Sequence, residues 1–264
     1  MTKLIFIEGV SGVGKSTMVQ TLTKELTALG YKVKSYLEGD YTNPIDFYHT
    51  AYFTKHEFNK LCSEYSCYRE LINANTIHLD DIRLIRYSNG KKYIFEEPLL
   101  STLSESEFCY HPKKIIPIDK YISIYTKIWN NFQNSLTNVF DFIIFDGSLL
   151  HHPLNDMINN YHITGKQTVP YIVALLNSLE LSEKFIFYLK TDNISKQLKI
   201  ARKKRKQSKP TTRQIEFWES RFKDEMIVLN SIYNKYQILD ISDNGWDLAK
   251  KEILYTIHYN LKCQ

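Results

Sequence analysis

Gly9-Val10-Ser11-Gly12-Val13-Gly14-Lys15-Ser16-Thr17 is the stretch of the chain that decides the fold. It follows the pattern G-x-x-x-x-G-K-[ST], in which glycines let successive backbone N–H groups turn toward phosphate oxygens. An apolar run at 4–7 predicts a buried strand before it, and the apolar spacing over 17–29 predicts a helix after it. The positive end of that helix dipole would add to the N–H groups. We therefore predict that all nine residues form a phosphate-binding loop.

The last residues of this loop carry the chemistry that the pattern predicts. Lys15 would reach the β- and γ-phosphates of a nucleoside triphosphate, and the Ser16 hydroxyl would bind Mg²⁺. We therefore expect ATP and Mg²⁺ as cofactors, with GTP left open as the donor. The alternative is a glycine-rich turn from strand to helix that binds no ligand.

Composition describes an ordinary globular protein of 264 residues, with 43% hydrophobic and 24% charged residues. A net charge of +5 does not by itself indicate a nucleic-acid partner. The four cysteines have neither C-x-x-C nor zinc-finger spacing, which favours reduced thiols. There is no signal-peptide pattern and no apolar run of membrane-spanning length. We expect a cytoplasmic protein that does not bind membranes.

Five apolar runs predict the strands of one sheet, and they lie at 4–7, 31–37, 140–146, 184–189 and 236–241. Helical spacing separates them, so the connections are expected to be right-handed crossovers between parallel strands. These patterns predict an α/β fold, a three-layer sandwich around a five-stranded, mostly parallel sheet. We predict a single domain over 1–264.

The segment 41–139 does not fit that pattern. Two short apolar runs, 83–87 and 92–95, flank Asn89-Gly90, and Asn-Gly is a strong hairpin signal. A hairpin does not belong to a parallel sheet. We therefore predict that 41–139 is an insertion that contains a β-hairpin and covers the substrate side.

Carboxylates follow two of the predicted strands. Asp146 ends the third strand in the manner of a Walker B residue, which binds Mg²⁺ directly or through water; the alternative is a cap for the next helix. Glu38 and Asp40 follow the second strand. Because ligands gather at the carboxyl ends of parallel strands, we expect these acids to lie near the phosphate-binding loop.

A basic segment at about 196–213 has three interpretations: a solvated helix face, a nucleic-acid patch or a lid over bound phosphates. Its position after the fourth strand favours the lid. The pair His151-His152 lacks a third ligand at metal-binding spacing. We therefore predict a surface or helix-start role for both histidines.

These residues together resemble the P-loop nucleoside and nucleotide kinases, in particular thymidylate kinases and deoxynucleoside kinases. The resemblance covers 1–40, 140–150 and 184–264. It implies that an acid after the second strand acts as base at the phosphoryl acceptor, a role for Asp40 or Glu38, of which we choose Asp40. It also implies that Arg202 and Arg205 contact the transferring phosphoryl group.

One departure from that family concerns the residue after the third-strand acid. The family usually has arginine there, whereas Asp146 is followed by Gly147. Similar cores also phosphorylate antibiotics and other small alcohols, so the acceptor stays open. We expect an ATP-dependent phosphotransferase for a nucleoside or nucleotide, and the alternative is a kinase of antibiotic-type hydroxyl groups.

Proteins of other classes share the loop. A regulatory GTPase needs Asn-Lys-x-Asp, and Asn234-Lys235-Tyr236-Gln237 lacks the Asp. A nucleic-acid-binding ATPase or a non-catalytic nucleotide-binding protein stays open. The expected partner is a small-molecule acceptor rather than nucleic acid, and a homodimer is also left open.

Overall fold

The computed structural model describes residues 2–232 and 236–262, so Asn234, Lys235 and Cys263 lie outside the described residues. Within those ranges the strands are β1 (Lys3–Glu8), β2 (Val33–Tyr36), β3 (Thr50–Thr54), β4 (Thr76–Leu79), β5 (Ile82–Arg86), β6 (Phe142–Asp146), β7 (Lys184–Lys190) and β8 (Tyr236–Asp240). The helices are α1 (Lys15–Ala28), α2 (Lys55–Glu64), α3 (Arg69–Ala74), α4 (Leu99–Glu105), α5 (Ile118–Ser135), α6 (His151–Tyr161), α7 (Val169–Asn177), α8 (Ile194–Lys204), α9 (Thr212–Ser231) and α10 (Trp246–Lys262). No helix within these ranges has the length and apolar character that crossing a membrane requires.

The chain divides into two compact units. The first, called the core unit here, comprises 1–38, 133–154 and 163–264. The second unit comprises 39–132 and 155–162. The predicted insertion at 41–139 overlaps the second unit, which also takes in the end of α6.

The core unit contains a five-stranded sheet in the order β2-β6-β1-β7-β8, and every neighbouring pair is parallel. All six residues of the central strand β1 are buried, which explains why the strand is a nearly continuous apolar run rather than an alternating one. The α/β fold with a five-stranded parallel sheet, predicted from the apolar runs, is confirmed.

Helices cover both faces of this sheet. On one face, Ile5 and Ile7 of β1 pack in a core with Met18 and Leu22 of α1 and with Ile253 of α10. On the other face, the Tyr188 hydroxyl of β7 donates to Glu225 of α9 at 2.5 Å. The result is the three-layer arrangement that the sequence predicted.

The strand order places the phosphate-binding loop. From β1 the chain passes through α1 to β2 on one side of the sheet, whereas β7 pairs with β1 on its other side. Winding therefore reverses beside β1, and a crevice opens at the carboxyl ends of the strands at such a point. The loop 9–14 follows β1 directly and so lies at this crevice.

The second unit contains a three-stranded antiparallel sheet in the order β3-β5-β4. β4 and β5 form a hairpin in this sheet, and the predicted pairing of 83–87 with 92–95 forms only next to its turn, where the Ile94 N–H donates to the Tyr87 carbonyl at 2.9 Å. The physical reason is that both edges of β5 are already paired, with β3 and with β4. The Asn-Gly turn closes this short pairing, with the Asn89 N–H donating to the Lys92 carbonyl at 3.0 Å and an antiparallel bridge between Ser88 and Tyr93.

Candidate active site

Two glycines of the phosphate-binding loop are required by packing as well as by the expected ligand. A Cβ on Gly9, whose φ is +136°, would lie 2.6 Å from the Leu189 carbonyl oxygen. A Cβ on Gly12, whose φ is +88°, would lie 2.9 Å from the Ala201 Cβ. The Leu189 carbonyl of β7 and the Ala201 side chain of α8 therefore approach the loop more closely than a side chain at Gly9 or Gly12 would permit.

The loop borders a cleft of about 410 Å³ in the core unit, a volume within the range of small-molecule sites. Seven of the nine predicted residues, 11–17, line it. Val10 instead belongs to the hydrophobic core. The other lining residues are Glu38, Gln197, Ile200, Ala201, Lys204, Arg205 and Trp246.

Lys15 is held inside the loop. Its ammonium group donates to the Gly9 carbonyl at 2.9 Å and to the Val10 carbonyl at 3.4 Å, and the residue is 5% exposed. The end of β6 also comes close, because a Cβ on Gly147 would lie 3.2 Å from the Lys15 Cε. The structure therefore brings together the loop lysine and the strand that ends in Asp146.

Asp146 is 1% exposed, and its two carboxylate oxygens differ. Oδ2 accepts the backbone N–H of Glu38 at 3.3 Å, a contact that the parallel pairing of β2 with β6 makes. Oδ1 has no hydrogen-bond partner among the residues that the structure describes. Buried carboxylate oxygens are normally satisfied, and a hard divalent cation such as Mg²⁺ is a suitable partner. Asp146 and Ser16, which lines the cleft, fit a magnesium site.

The two acids after β2 belong to different units. Glu38 lies in the core unit and lines the cleft. Asp40 lies in the second unit, where its Oδ1 accepts the Thr42 backbone N–H at 2.9 Å and the Thr42 hydroxyl at 2.7 Å. Asp40 thus accepts the hydrogen bonds of a local turn in this structure. Its role as the catalytic base stays a prediction.

The basic segment is largely helical, because α8 takes up most of it. Gln197 attaches this helix to the phosphate-binding loop by donating to the Gly12 carbonyl at 2.9 Å. Lys204 and Arg205, at the end of the helix, line the cleft. Arg202 is not among the described residues that line it, and its guanidinium donates to the Ser208 carbonyl at 3.2 Å. Of the two predicted arginines, the structure therefore brings only Arg205 to the cleft.

Trp246 was missed by the sequence reasoning. It opens α10 directly after the last strand and lines the cleft, with its indole Nε1 lying 3.3 Å from where a Gly14 Cβ would be. Ile200 and Ala201 of α8 add apolar surface. The rule that ligands lie beyond the carboxyl ends of strands could have indicated it, since it follows β8.

A buried carboxylate lies beneath the loop. Glu8, the last residue of β1, accepts the backbone N–H groups of Leu149 at 2.8 Å and His151 at 3.1 Å. Burial raises its pKa to about 7, although these two hydrogen bonds and the Lys15 charge act in the opposite direction. No sequence motif marked Glu8 beyond its place at a strand end.

Arg221 of α9 holds the same segment from its carbonyl side. It donates to the carbonyl oxygens of Leu150 and His151, each at 2.8 Å, and its Nε donates to Glu225 at 2.9 Å. Both charged side chains are fully buried. Glu8 and Arg221 together therefore satisfy the N–H and C=O groups of the turn after β6, which the sequence did not indicate.

The histidine pair is buried, so the predicted surface position is wrong, although α6 does begin at His151. His151 is 4% and His152 is 7% exposed, and the Trp218 ring stacks on His151 with a centroid distance of 5.3 Å. Burial, followed by the charges of Lys15 and its other neighbours, lowers the pKa of His151 well below its usual range. One side-chain atom each from Glu38, His151 and His152 lie within 4.8 Å of one another. A side chain that could serve as a third ligand, which the sequence spacing did not offer, therefore lies beside the histidine pair.

A phosphate-binding loop after the first strand of a parallel sheet, beside a strand that ends in a buried aspartate, defines the class as P-loop α/β proteins. No protein-family model matches the sequence, and no curated protein matches it significantly.

Three solved kinase structures are similar to the chain. Thymidylate kinase from Candida albicans is 14% identical with a TM-score of 0.48, and the match covers 100% of this chain and 94% of that one. Deoxyadenosine kinase from M. mycoides is 18% identical with a TM-score of 0.45, covering 97% and 98%. A gluconokinase from Sinorhizobium meliloti is 10% identical with a TM-score of 0.41, covering 98% and 97%. Because these TM-scores are below 0.5, the substrate is inferred below from the residues of this chain alone.

Proposed function

We propose that this protein is a P-loop kinase that transfers the γ-phosphoryl group of ATP to a small-molecule acceptor, a nucleoside or nucleotide. The observation that carries the proposal is the composition of one cleft. The loop residues Lys15 and Ser16 line it together with Arg205, and the strand next to Lys15 ends in Asp146, whose Oδ1 has no hydrogen-bond partner among the described residues.

Phosphoryl transfer asks a protein mainly to position two reactants and to neutralise charge. Backbone N–H groups of the loop and the positive end of α1 would bind the phosphates, and Lys15 would exchange its carbonyl contacts for phosphate oxygens. Arg205, which also lines the cleft, would contact the group in transfer. Mg²⁺ held by Ser16 and Asp146 would supply further positive charge to the phosphate oxygens.

The apolar part of the cleft lining favours a donor that carries a base. Trp246 presents an indole ring, and Ile200 and Ala201 are apolar. A flat aromatic base packs on such a surface with a favourable burial of apolar area. A polyphosphate without a base would leave this part of the cleft unused.

The acceptor needs a base or a positioning carboxylate, and two acids remain candidates. Glu38 borders the cleft and its own N–H contacts Asp146, which favours it as the acid nearest to the phosphates. Asp40 remains our candidate for the acceptor side, because it follows Glu38 by two residues and is the second residue of the second unit.

A screen with ATP labelled at the γ-phosphate tests the proposal. Nucleosides, nucleotides and hydroxylated antibiotics are offered with Mg²⁺, and the folded Lys15→Ala variant is the negative control. We expect label on a nucleoside or nucleotide, and label only on an antibiotic hydroxyl would favour the alternative acceptor class. If ATP binds and no acceptor becomes labelled, the protein is a non-catalytic nucleotide-binding protein and the proposal fails.

A further inference from the structure

In the cluster of Glu38, His151 and His152, the phosphoryl-transfer proposal uses only Glu38, as a candidate base, and gives the two histidines no role. Glu38 follows β2, and the two histidines begin α6, so neighbouring strands β2 and β6 bring the three together. One ligand-type atom of each lies within 4.8 Å of the others. Two ring nitrogens and one carboxylate oxygen are a donor set that transition metals favour.

We propose that Glu38, His151 and His152 form a binding site for a divalent transition metal ion of the Zn²⁺ type, separate from the Mg²⁺ site at Ser16 and Asp146. Imidazole suits Zn²⁺ and its neighbours in the periodic table, whereas Mg²⁺ prefers oxygen ligands. Three protein ligands leave a fourth position for water or another small ligand, the arrangement of open zinc sites.

The geometry needs only a small adjustment to hold such an ion. Ligand atoms around tetrahedral Zn²⁺ are about 3.4 Å apart at bond lengths of about 2.1 Å. Glu38 is exposed, so its carboxylate can turn toward the histidines. The His151 ring is fixed by the nearly parallel Trp218 ring, at an interplanar angle of 4°.

A second observation points to a ligand independently of the cluster distances. The Nδ1 atom of His151 is buried, and it has no hydrogen-bond partner in the described part of the chain. Leaving a buried polar atom unpaired is unfavourable by about 1–3 kcal/mol. The imidazole already has a hydrogen bond with the Gly9 backbone, and a metal ion at the cluster would give its Nδ1 atom a partner as well.

The charges around the cluster permit a further cation. Lys15 and Arg221 lie beside His151, but the ammonium group of Lys15 already contacts two loop carbonyls and Arg221 is paired with Glu225. Glu38 and Asp146 supply negative charge on the side of β2. Both cations thus already have hydrogen-bond partners, and a third carboxyl group, that of Glu8, lies beside His151 and accepts its backbone N–H at 3.1 Å.

Zinc binding can be measured by calorimetry on the full chain without nucleotide, which makes the result independent of the proposed kinase activity. Excess Mg²⁺ occupies any oxygen-ligand site, and a Cys67→Ser background removes an exposed thiol that would compete for zinc. We expect one Zn²⁺ per chain. Glu38→Gln and His152→Ala should each raise Kd by at least about tenfold.

His258→Ala is the matched control, because this histidine is exposed on α10. It should leave the zinc affinity unchanged. Glu38→Gln decides the outcome if His152→Ala fails to fold, since the Glu38 side chain is exposed. Absence of zinc binding by the parent, unchanged affinity in Glu38→Gln, or an equal loss in His258→Ala would each overturn the proposal.

Discussion

The carboxylate of Glu8 accepts the backbone N–H of Leu149 at 2.8 Å, which joins the last residue of β1 to the turn that follows β6. This contact is fully buried and lies directly before the phosphate-binding loop. The Glu8 carboxyl group holds the turn after β6 in place by this hydrogen bond. Its burial raises its pKa to about 7. The relationship has a measurable consequence for stability.

We expect the free energy of unfolding to fall as pH rises between about 4.5 and 7. Glu8 keeps its proton in the folded protein and loses it in the unfolded chain over this window, so the native state binds more protons. Each pKa unit corresponds to 1.36 kcal/mol, which sets an upper bound of about 3 kcal/mol. Glu8→Gln should flatten this slope in urea unfolding at several pH values. An equal slope in both proteins would show that Glu8 is not the titrating group.

Lys15→Ala should weaken Mg-ATP binding by about 3 kcal/mol, roughly a hundredfold in Kd, because a charge-assisted contact to the phosphates is lost. Lys24→Ala is the control, since Lys24 is an exposed lysine on the same helix. Isothermal titration of both variants measures the difference. Full Mg-ATP affinity in folded Lys15→Ala would rule out the phosphate-binding role.

Arg205→Ala should lower turnover by a hundredfold or more while ATP affinity changes little, as expected for a group that contacts the phosphoryl group in transfer. Arg202→Ala should have a much smaller effect, because Arg202 contacts the Ser208 carbonyl instead. Arg205→Lys should restore little, since lysine lacks the forked donors. Steady-state kcat and KM of the three variants measure these differences. If Arg202→Ala and Arg205→Ala both keep full phosphoryl transfer but lose binding to DNA or RNA, the protein is better explained as a nucleic-acid-binding ATPase.

Asp40→Asn and Glu38→Gln distinguish the two candidate bases. Either substitution keeps the shape of the side chain but removes its ability to accept a proton. The variant of the true base should lose about a hundredfold in turnover with unchanged nucleotide affinity. The measurement is the pH dependence of kcat with the acceptor found in the screen. If both variants turn over the acceptor at the rate of the parent protein, neither acid is the base, and catalysis would depend on substrate positioning alone.

Arg221→Met should lower the free energy of unfolding by about 3–5 kcal/mol, because Glu225 would be left buried without its charge partner. Two carbonyl groups of the turn after β6 would also lose their donor. Lys223→Met is the control, since Lys223 is exposed on the same helix. Urea unfolding measures both. A loss of less than about 1 kcal/mol in Arg221→Met would contradict the importance of this buried pair.

The sheet and the phosphate-binding loop could be predicted because their signals are local. Residues 9–17 carry the whole loop pattern in consecutive positions, and a strand buried on both faces is a continuous apolar run. Asn89-Gly90 was also a true local signal, since a turn does form there. The pairing across this turn reaches only to Tyr87, because pairing depends on which strand edges are available and β5 has none left.

The sequence by itself determined the class of fold, the loop and the strand that ends in Asp146. Only the tertiary structure decided that Arg205 rather than Arg202 borders the cleft, that Glu8 supports the turn at Leu149 and that Glu38 meets the histidine pair. These relationships join residues that lie on different elements, in some cases more than a hundred positions apart. No local pattern encodes them, because they follow from the order of strands in the sheet and from the packing of helices against it.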